Sequence, residues 1–129
     1  MEKDIKVIST DNAPKAVGPY SQAINCGGFL FISGQMPIDP QNNEMVESLF
    51  RIQAEQSMKN VLAILKENNM TVDNLVKTNI YLTDMEKFTE VNDVYKSFFG
   101  EYYPARACVE VSKLPKGALV EIEAIAFKG

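Results

Sequence analysis

The alternation of apolar and polar positions divides the chain into strand-like and helix-like runs. Ser21 to Asn25 and Phe29 to Ser33 read as two strands, and Cys26-Gly27-Gly28 between them supplies the glycines that a tight hairpin needs at positive φ. An antiparallel pair therefore opens the sheet. Phe50, Ala54, Met58, Val61, Leu62 and Leu65 recur at spacings of three and four, one stripe of a helix with Ser48 as its N-cap and Asn68-Asn69 as its end. Val76, Thr78, Ile80 and Leu82 alternate with Lys77, Asn79, Tyr81 and Thr83, the period of a strand. Thr83-Asp84 then offers a cap for a second helix carrying Phe88, Val91, Tyr95 and Phe98. Two further strands, Ala105 to Val111 and Leu119 to Phe127, flank the turn-rich connector 112–118.

The order β-β-α-β-α-β-β predicts an α+β fold in which two helices cover one face of a five- or six-stranded sheet. The other face has no cover of its own. Both parities of Phe29-Leu30-Phe31-Ile32 are apolar, as are Val120, Ile122 and Ala124 on one side of the last strand and Ile125 and Phe127 on the other. A monomer would leave that apolar face in water, so the pattern predicts an oligomer. With 129 residues, no repeat and no linker-like stretch, residues 1–129 are expected to form a single domain.

Composition narrows the function classes. Seventeen acidic against thirteen basic residues give a net charge of −4, and the pI near 4.8 argues against nucleic-acid or anionic-lipid binding. Histidine is absent, which removes the usual general base, the Ser-His and Cys-His nucleophile pairs and imidazole metal sites. Acid–base chemistry must then use carboxylates, Tyr, Lys, Cys or water. Cys26 and Cys108 have no CxxC spacing, and a reducing cytoplasm fits them best. The charged start Met1-Glu2-Lys3-Asp4-Ile5 lacks an apolar run, so no signal peptide and no membrane span are expected.

Few residues stand out as chemistry. Arg106 and Cys108 share a parity in their strand, roughly 7 Å apart, and could line one pocket, while Ala107, Val109 and Val111 on the opposite parity suit burial. A guanidinium there needs an anionic partner: Glu110 or Glu121 as a salt bridge, or a ligand. Glu121, set between Val120 and Ile122, either faces solvent or is held for a purpose. An arginine that forks onto a carboxylate and a glutamate that positions water across a short β connection would together suit hydrolysis of a small charged substrate. Tyr20 and Ser33 place hydroxyls on backbone bends where a ligand could approach, although turn chemistry explains them equally well. Cys108 has no histidine to activate it and fits a small buried hydrophobe better than a nucleophile. Asn92, a mediocre helix former, either faces water or enters a pocket. Asp39-Pro40 and Gln41-Asn42-Asn43 read as a surface turn, and Lys66, Glu67, Lys87, Glu90 and Lys96 as solvated helix faces.

The run Pro104-Ala105-Arg106-Ala107-Cys108-Val109-Glu110-Val111, followed by Leu114-Pro115-Lys116-Gly117-Ala118-Leu119-Val120-Glu121-Ile122, closely resembles the signature of the RidA/YjgF family. Gly18-Pro19-Tyr20-Ser21-Gln22-Ala23, Phe31-Ile32-Ser33-Gly34-Gln35, Gln53-Ala54, Val76-Lys77-Thr78 and Phe88 through Asn92 extend the resemblance over nearly the whole chain. It implies a chorismate-mutase-like α+β fold and a homotrimer with ligand clefts between adjacent subunits. It implies an enamine/imine deaminase that hydrolyses 2-aminoacrylate, 2-aminocrotonate and related imines, released by pyridoxal-phosphate enzymes, to 2-oxo acids and ammonia, with no cofactor and no metal. The family roles fall on Arg106 for the substrate carboxylate, Glu121 for positioning or activating water, and Tyr20, Ser33, Gly34, Asn92, Cys108 and Pro115 for the pocket. The rival readings are a non-catalytic 2-oxo-acid-binding regulator and an endoribonuclease or translation inhibitor. The second is disfavoured by the pI, the missing histidine and the lack of a basic aromatic stripe.

Overall fold

The computed structural model describes residues 5–129; Met1 to Asp4, the first four residues of the charged start from which no signal peptide is expected, lie outside the described residues. Its strands are β1 (Ile5–Ile8), β2 (Ala23–Cys26), β3 (Phe29–Gln35), β4 (Ile38–Asp39), β5 (Glu44–Met45), β6 (Leu75–Leu82), β7 (Ala105–Glu110) and β8 (Val120–Phe127). Its helices are α1 (Phe50–Glu67) and α2 (Phe88–Lys96). Six strands form one mixed sheet in the order β1-β2-β3-β8-β6-β7, and β4-β5 make a separate two-stranded hairpin. The α+β reading with two helices therefore holds, with β1 and the β4-β5 hairpin as elements that the apolar pattern did not reveal. No helix among the described residues is long and apolar enough to cross a membrane.

The β2-β3 hairpin turns on Gly27 and Gly28, at φ 59° and 90°, as their sequence predicts. Helix α1 packs Ala54, Met58, Val61, Ile64 and Leu65 into the core, where they meet Leu30, Ile80, Ile122 and Val120 from the sheet. Its N-cap is Leu49 in extended conformation with no side-chain hydrogen bond, not Ser48. The helix start is held by tertiary contacts instead. Buried Gln53 accepts the Leu119 amide at 2.8 Å, and Asn60 donates to the carbonyls of Met36 and Ile38 at 2.9 and 3.0 Å. These polar groups lie on the buried face, where a purely apolar stripe was expected, and fasten two loops to the helix. Asn68 and the left-handed Asn69 (φ 58°) close it.

The sheet corrects three further expectations. An irregularity between Leu75 and Lys77 buries Leu75 and turns Val76 outward, so the apolar alternation begins only at Thr78. Strand β7 is an edge strand that pairs parallel with β6, reached through α2, and β6 separates it from β8. The two strands, although a short connector joins them in sequence, are thus not neighbours in the sheet. Ala107 and Val109 lie on the side of this edge strand that no helix covers, so they are exposed rather than buried, Val109 at 45%.

The uncovered sheet face is real. Phe29, Phe31 and Phe127 stack there with ring centroids 6.0 and 4.7 Å apart, and Phe31 is 45% exposed although it sits mid-sheet. Ile5 and Val7 from β1 extend the patch. A soluble chain seldom leaves contiguous apolar surface of this kind in water.

Candidate functional site

Cross-strand partners point to the same side of a sheet. Thr78 is opposite both Arg106 and Ala124, and Thr78 and Ala124 are buried beneath the helices, so Arg106 emerges on the helix-covered face at the sheet edge. There its guanidinium lies 5.4 Å from the Phe88 ring centroid and 5.1 Å from that of Tyr95, and Nη1 donates to Asn92 Oδ1 at 2.7 Å. Tyr95 is itself fixed by a 2.7 Å hydrogen bond to Thr78. Asn92 therefore enters a pocket, a depression lined by Asn92, Tyr95, Lys96, Tyr103, Pro104 and Arg106. No carboxylate among the described residues lies in ion-pair range of Arg106; Glu110 instead accepts the Met85 amide at 2.7 Å. The guanidinium is held by stacking and one neutral acceptor, which leaves its remaining N–H donors and its charge to an incoming anion.

Cys108 shares the parity of Arg106, as expected, and packs half-buried against the core. Burial pushes its thiol up, against a smaller opposing effect of the Arg106 charge. A protonated thiol is a poor nucleophile, which fits the small-hydrophobe reading.

Glu121 is opposite Tyr81, which is opposite Val109, so it projects from the uncovered face. It enters a cavity of about 560 Å³ that is also lined by Tyr20, Ser33, Gly34, Pro115, Lys116 and Glu123. The irregular register of β3 between Ile32 and Gln35 brings Gly34 against the Glu121 side chain: a Cβ there would lie 2.8 Å from Glu121 Cδ, so only glycine allows the carboxylate its place. Ser33 Oγ donates to the Ser21 carbonyl at 2.6 Å, and Tyr20, 52% exposed, stands at the rim. Burial, and after it the charge of Glu123, hold the Glu121 carboxyl above the ordinary carboxylate range. Such a carboxylate is a stronger base than one in water.

The predicted residues thus fall into two groups on opposite faces of one sheet. Tyr20, Ser33, Gly34, Pro115 and Glu121 share a cavity, Arg106 and Asn92 share a depression, and Cys108 lines neither. The sequence reading that placed Arg106 and Glu121 at one site within the chain, or paired them as a salt bridge, is overturned by the strand order. It also missed Lys15, Asn43, Lys116 and Glu123 in the cavity wall. Gln22 is a further omission: buried, it accepts the Thr10 amide at 2.7 Å and donates to the Thr10, Ala13 and Pro14 carbonyls, fastening the loop that carries that wall. The one sequence signal for it was a glutamine within the Gly18-to-Ala23 run.

Comparison with known proteins agrees with this architecture. The family model described as "Endoribonuclease L-PSP" matches residues 10–128. A RutC family protein of Pyrococcus horikoshii is 51% identical, covering 95% of this chain and 98% of its own. The 2-iminobutanoate/2-iminopropanoate deaminase of Salmonella typhimurium is 44% identical over 95% of this chain and 98% of its own. The crystal structure of E. coli TdcF with bound serine superposes with a TM-score of 0.92 at 41% identity, over 96% of this chain and 99% of that one. With a matching fold, matching length and a family model spanning almost every described residue, the chain belongs to the endoribonuclease L-PSP family, the YjgF/RidA family of its sequence signature.

Proposed function

We propose that the protein is an enamine/imine deaminase that hydrolyses 2-iminobutanoate, 2-iminopropanoate and related imines to 2-oxo acids and ammonia. The observation that carries this reading is the guanidinium of Arg106, stacked on Phe88 and Tyr95, bonded to Asn92 and without a carboxylate partner among the described residues. A 2-imino acid brings the missing carboxylate. The serine bound to TdcF and the name of the Salmonella relative support a small α-substituted carboxylic acid as the ligand.

The site is completed between chains. Three chains assemble through their uncovered sheet faces, and each cleft joins the Arg106 depression of one protomer to the Glu121 cavity of its neighbour. Burial of Phe29, Phe31 and Phe127 supplies the driving force for that assembly. In the cleft Arg106, oriented by Asn92, grips the substrate carboxylate, and Tyr20, Ser33, Gly34 and Pro115 shape the wall, while Cys108 packs behind Arg106 on the same strand. Glu121 takes a proton from water as the oxygen adds to the C=N carbon and passes it to the imine nitrogen, giving the carbinolamine. It then takes the carbinolamine hydroxyl proton and gives it to the departing nitrogen as the C–N bond breaks, so that imine plus water becomes 2-oxo acid plus ammonia. The imine carbon is already electrophilic, so neither histidine nor a cofactor is required. The Glu121–Glu123 pair on the same face repels phosphate, which disfavours RNA cleavage.

The test is a coupled assay in which a threonine dehydratase generates the imine and 2-oxo acid formation is followed with and without the protein. Acceleration supports the deaminase. Saturable 2-oxo-acid binding without acceleration, by the folded assembled protein, replaces it with a metabolite sensor. Gly34→Ala is expected to keep the fold but cut turnover about 10- to 100-fold, because its methyl displaces the Glu121 carboxylate. Near-normal kcat/KM in that variant would remove Glu121 from the reaction.

A further inference from the structure

The mechanism above uses Glu121 and leaves Glu123 idle, yet both line the same cavity from the open face of β8. Two donors stand beside them on β6. Asn79 is directly across from Glu123 and Tyr81 directly across from Glu121. Both nonetheless serve Glu123: Asn79 Nδ2 donates to its Oε2 at 2.8 Å, and the Tyr81 hydroxyl reaches diagonally past Glu121 to the same oxygen at 2.9 Å. No donor among the described residues bonds the Glu121 carboxylate, which rests on Gly34.

We propose that Glu123 is a positioning residue for Glu121: by drawing Asn79 and Tyr81 to itself and standing as a second carboxylate about 7 Å along the strand, it leaves Glu121 a donor-free base aimed into the cavity. A base that lends its lone pairs to protein donors is weakened, and one beside a like charge is strengthened. Diverting the donors and supplying the charge act in the same direction. Tyr81 reports the same field: burial first, then its hydrogen bond to Glu123 and the charges of both carboxylates, raise its phenol. Within the chain the other charged or titratable groups facing the cavity are Lys15, Tyr20 and Lys116 from the loops, all exposed and so largely screened; in the assembly the neighbouring protomer's Arg106 also faces it, equally in wild type and Glu123→Gln, so the difference between the two reads Glu123. Lys77 lies beside Glu123 on the far side from Glu121. Strand β3 contributes only Ser33, Gly34 and Gln35, which carry no charge.

The role of Glu121 as a base rests on the deaminase reading; its coupling to Glu123 does not. Glu123→Gln keeps an oxygen acceptor for Asn79 and Tyr81 while removing the charge. The assembled protein, labelled with ¹³C at glutamate carboxyls, is titrated by NMR, with the Glu121 signal assigned by its loss in Glu121→Gln. The Glu121 midpoint should lie above the ordinary range in the wild type and fall by about half to one pH unit in Glu123→Gln. The acid limb of kcat/KM should move down by the same amount, with KM unchanged and kcat reduced about 2- to 5-fold by the weaker base. Loss of a merely structural contact would lower activity without moving the limb. A midpoint that stays in place in folded Glu123→Gln overturns the inference. Should that variant not assemble, an ordinary wild-type midpoint for Glu121 overturns it equally. Coupled titration without imine turnover by any form would sustain the inference and sink the deaminase reading.

Discussion

Arg106→Ala should lower kcat/KM for 2-iminobutanoate about 100-fold while leaving the protein folded and assembled, since a charge-assisted fork on a carboxylate contributes about 1.5–3 kcal/mol. Most of the loss should appear in KM, with a share in kcat because an ungripped substrate no longer presents its C=N carbon to water. The cost to stability is small: the side chain is exposed, and its two ring contacts contribute about 0.5–1 kcal/mol each at such a position. Arg106→Lys should recover little of the activity, because an ammonium keeps the charge but cannot stack on Phe88 and Tyr95, donate to Asn92 and fork onto a carboxylate together. Asn92→Ala should cost less than either, about 5- to 10-fold, as the guanidinium loses one anchor and keeps two. Steady-state kinetics with circular dichroism and sedimentation decide the matter. Wild-type turnover by a folded Arg106→Ala protein would end the assigned role.

How far the sequence reaches depends on the range of the forces involved. Helix α2 and the β2-β3 hairpin were legible because a helical stripe and a Gly-Gly turn are local properties of the chain. The start of α1 was misread at Ser48 because Gln53, buried in the first turn against the Leu119 amide, fixes that region without a side-chain cap. Val76 was misread because one irregular residue inverts the faces of everything before it. The short β4-β5 pair carries too few residues for any periodicity. The greatest distortion concerned the candidate site itself. Arg106 and Glu121 are fifteen residues apart across one connector, so a short β connection that brings them together was the simple reading. The chain inserts β6 between their strands instead, and the parity of each residue then places the two on opposite faces. Parity within a strand was readable, and strand order was not, because order is set by which long-range pairing buries most apolar surface. The resemblance implied clefts between subunits, and the strand order adds which residues one chain keeps apart.

That separation yields the second large effect. If each site takes Arg106 from one protomer and Glu121 from its neighbour, Arg106→Ala and Glu121→Gln proteins each turn over close to nothing at substrate concentrations below the wild-type KM, yet hold complementary halves. Unfolded together in equal amounts and refolded, they should form mixed trimers in which a given cleft receives an intact arginine half the time and an intact glutamate half the time. About a quarter of the clefts would then be whole, and activity should rise from near zero to about 25% of wild type. The same fraction follows for any closed ring in which each interface is used once. A site built within one chain predicts no recovery, because no chain in the mixture carries both residues. Adding Phe31→Asp to both proteins should abolish the recovery, since a carboxylate placed in the Phe29–Phe127 patch opposes burial of that face and leaves the halves in solution unjoined. Activity of the refolded mixture, read beside its sedimentation, separates the outcomes. Trimers that form without regaining turnover would mean that Arg106 and Glu121 do not act on the same substrate, whereas recovery that tracks the trimer fraction would make assembly itself a requirement for catalysis.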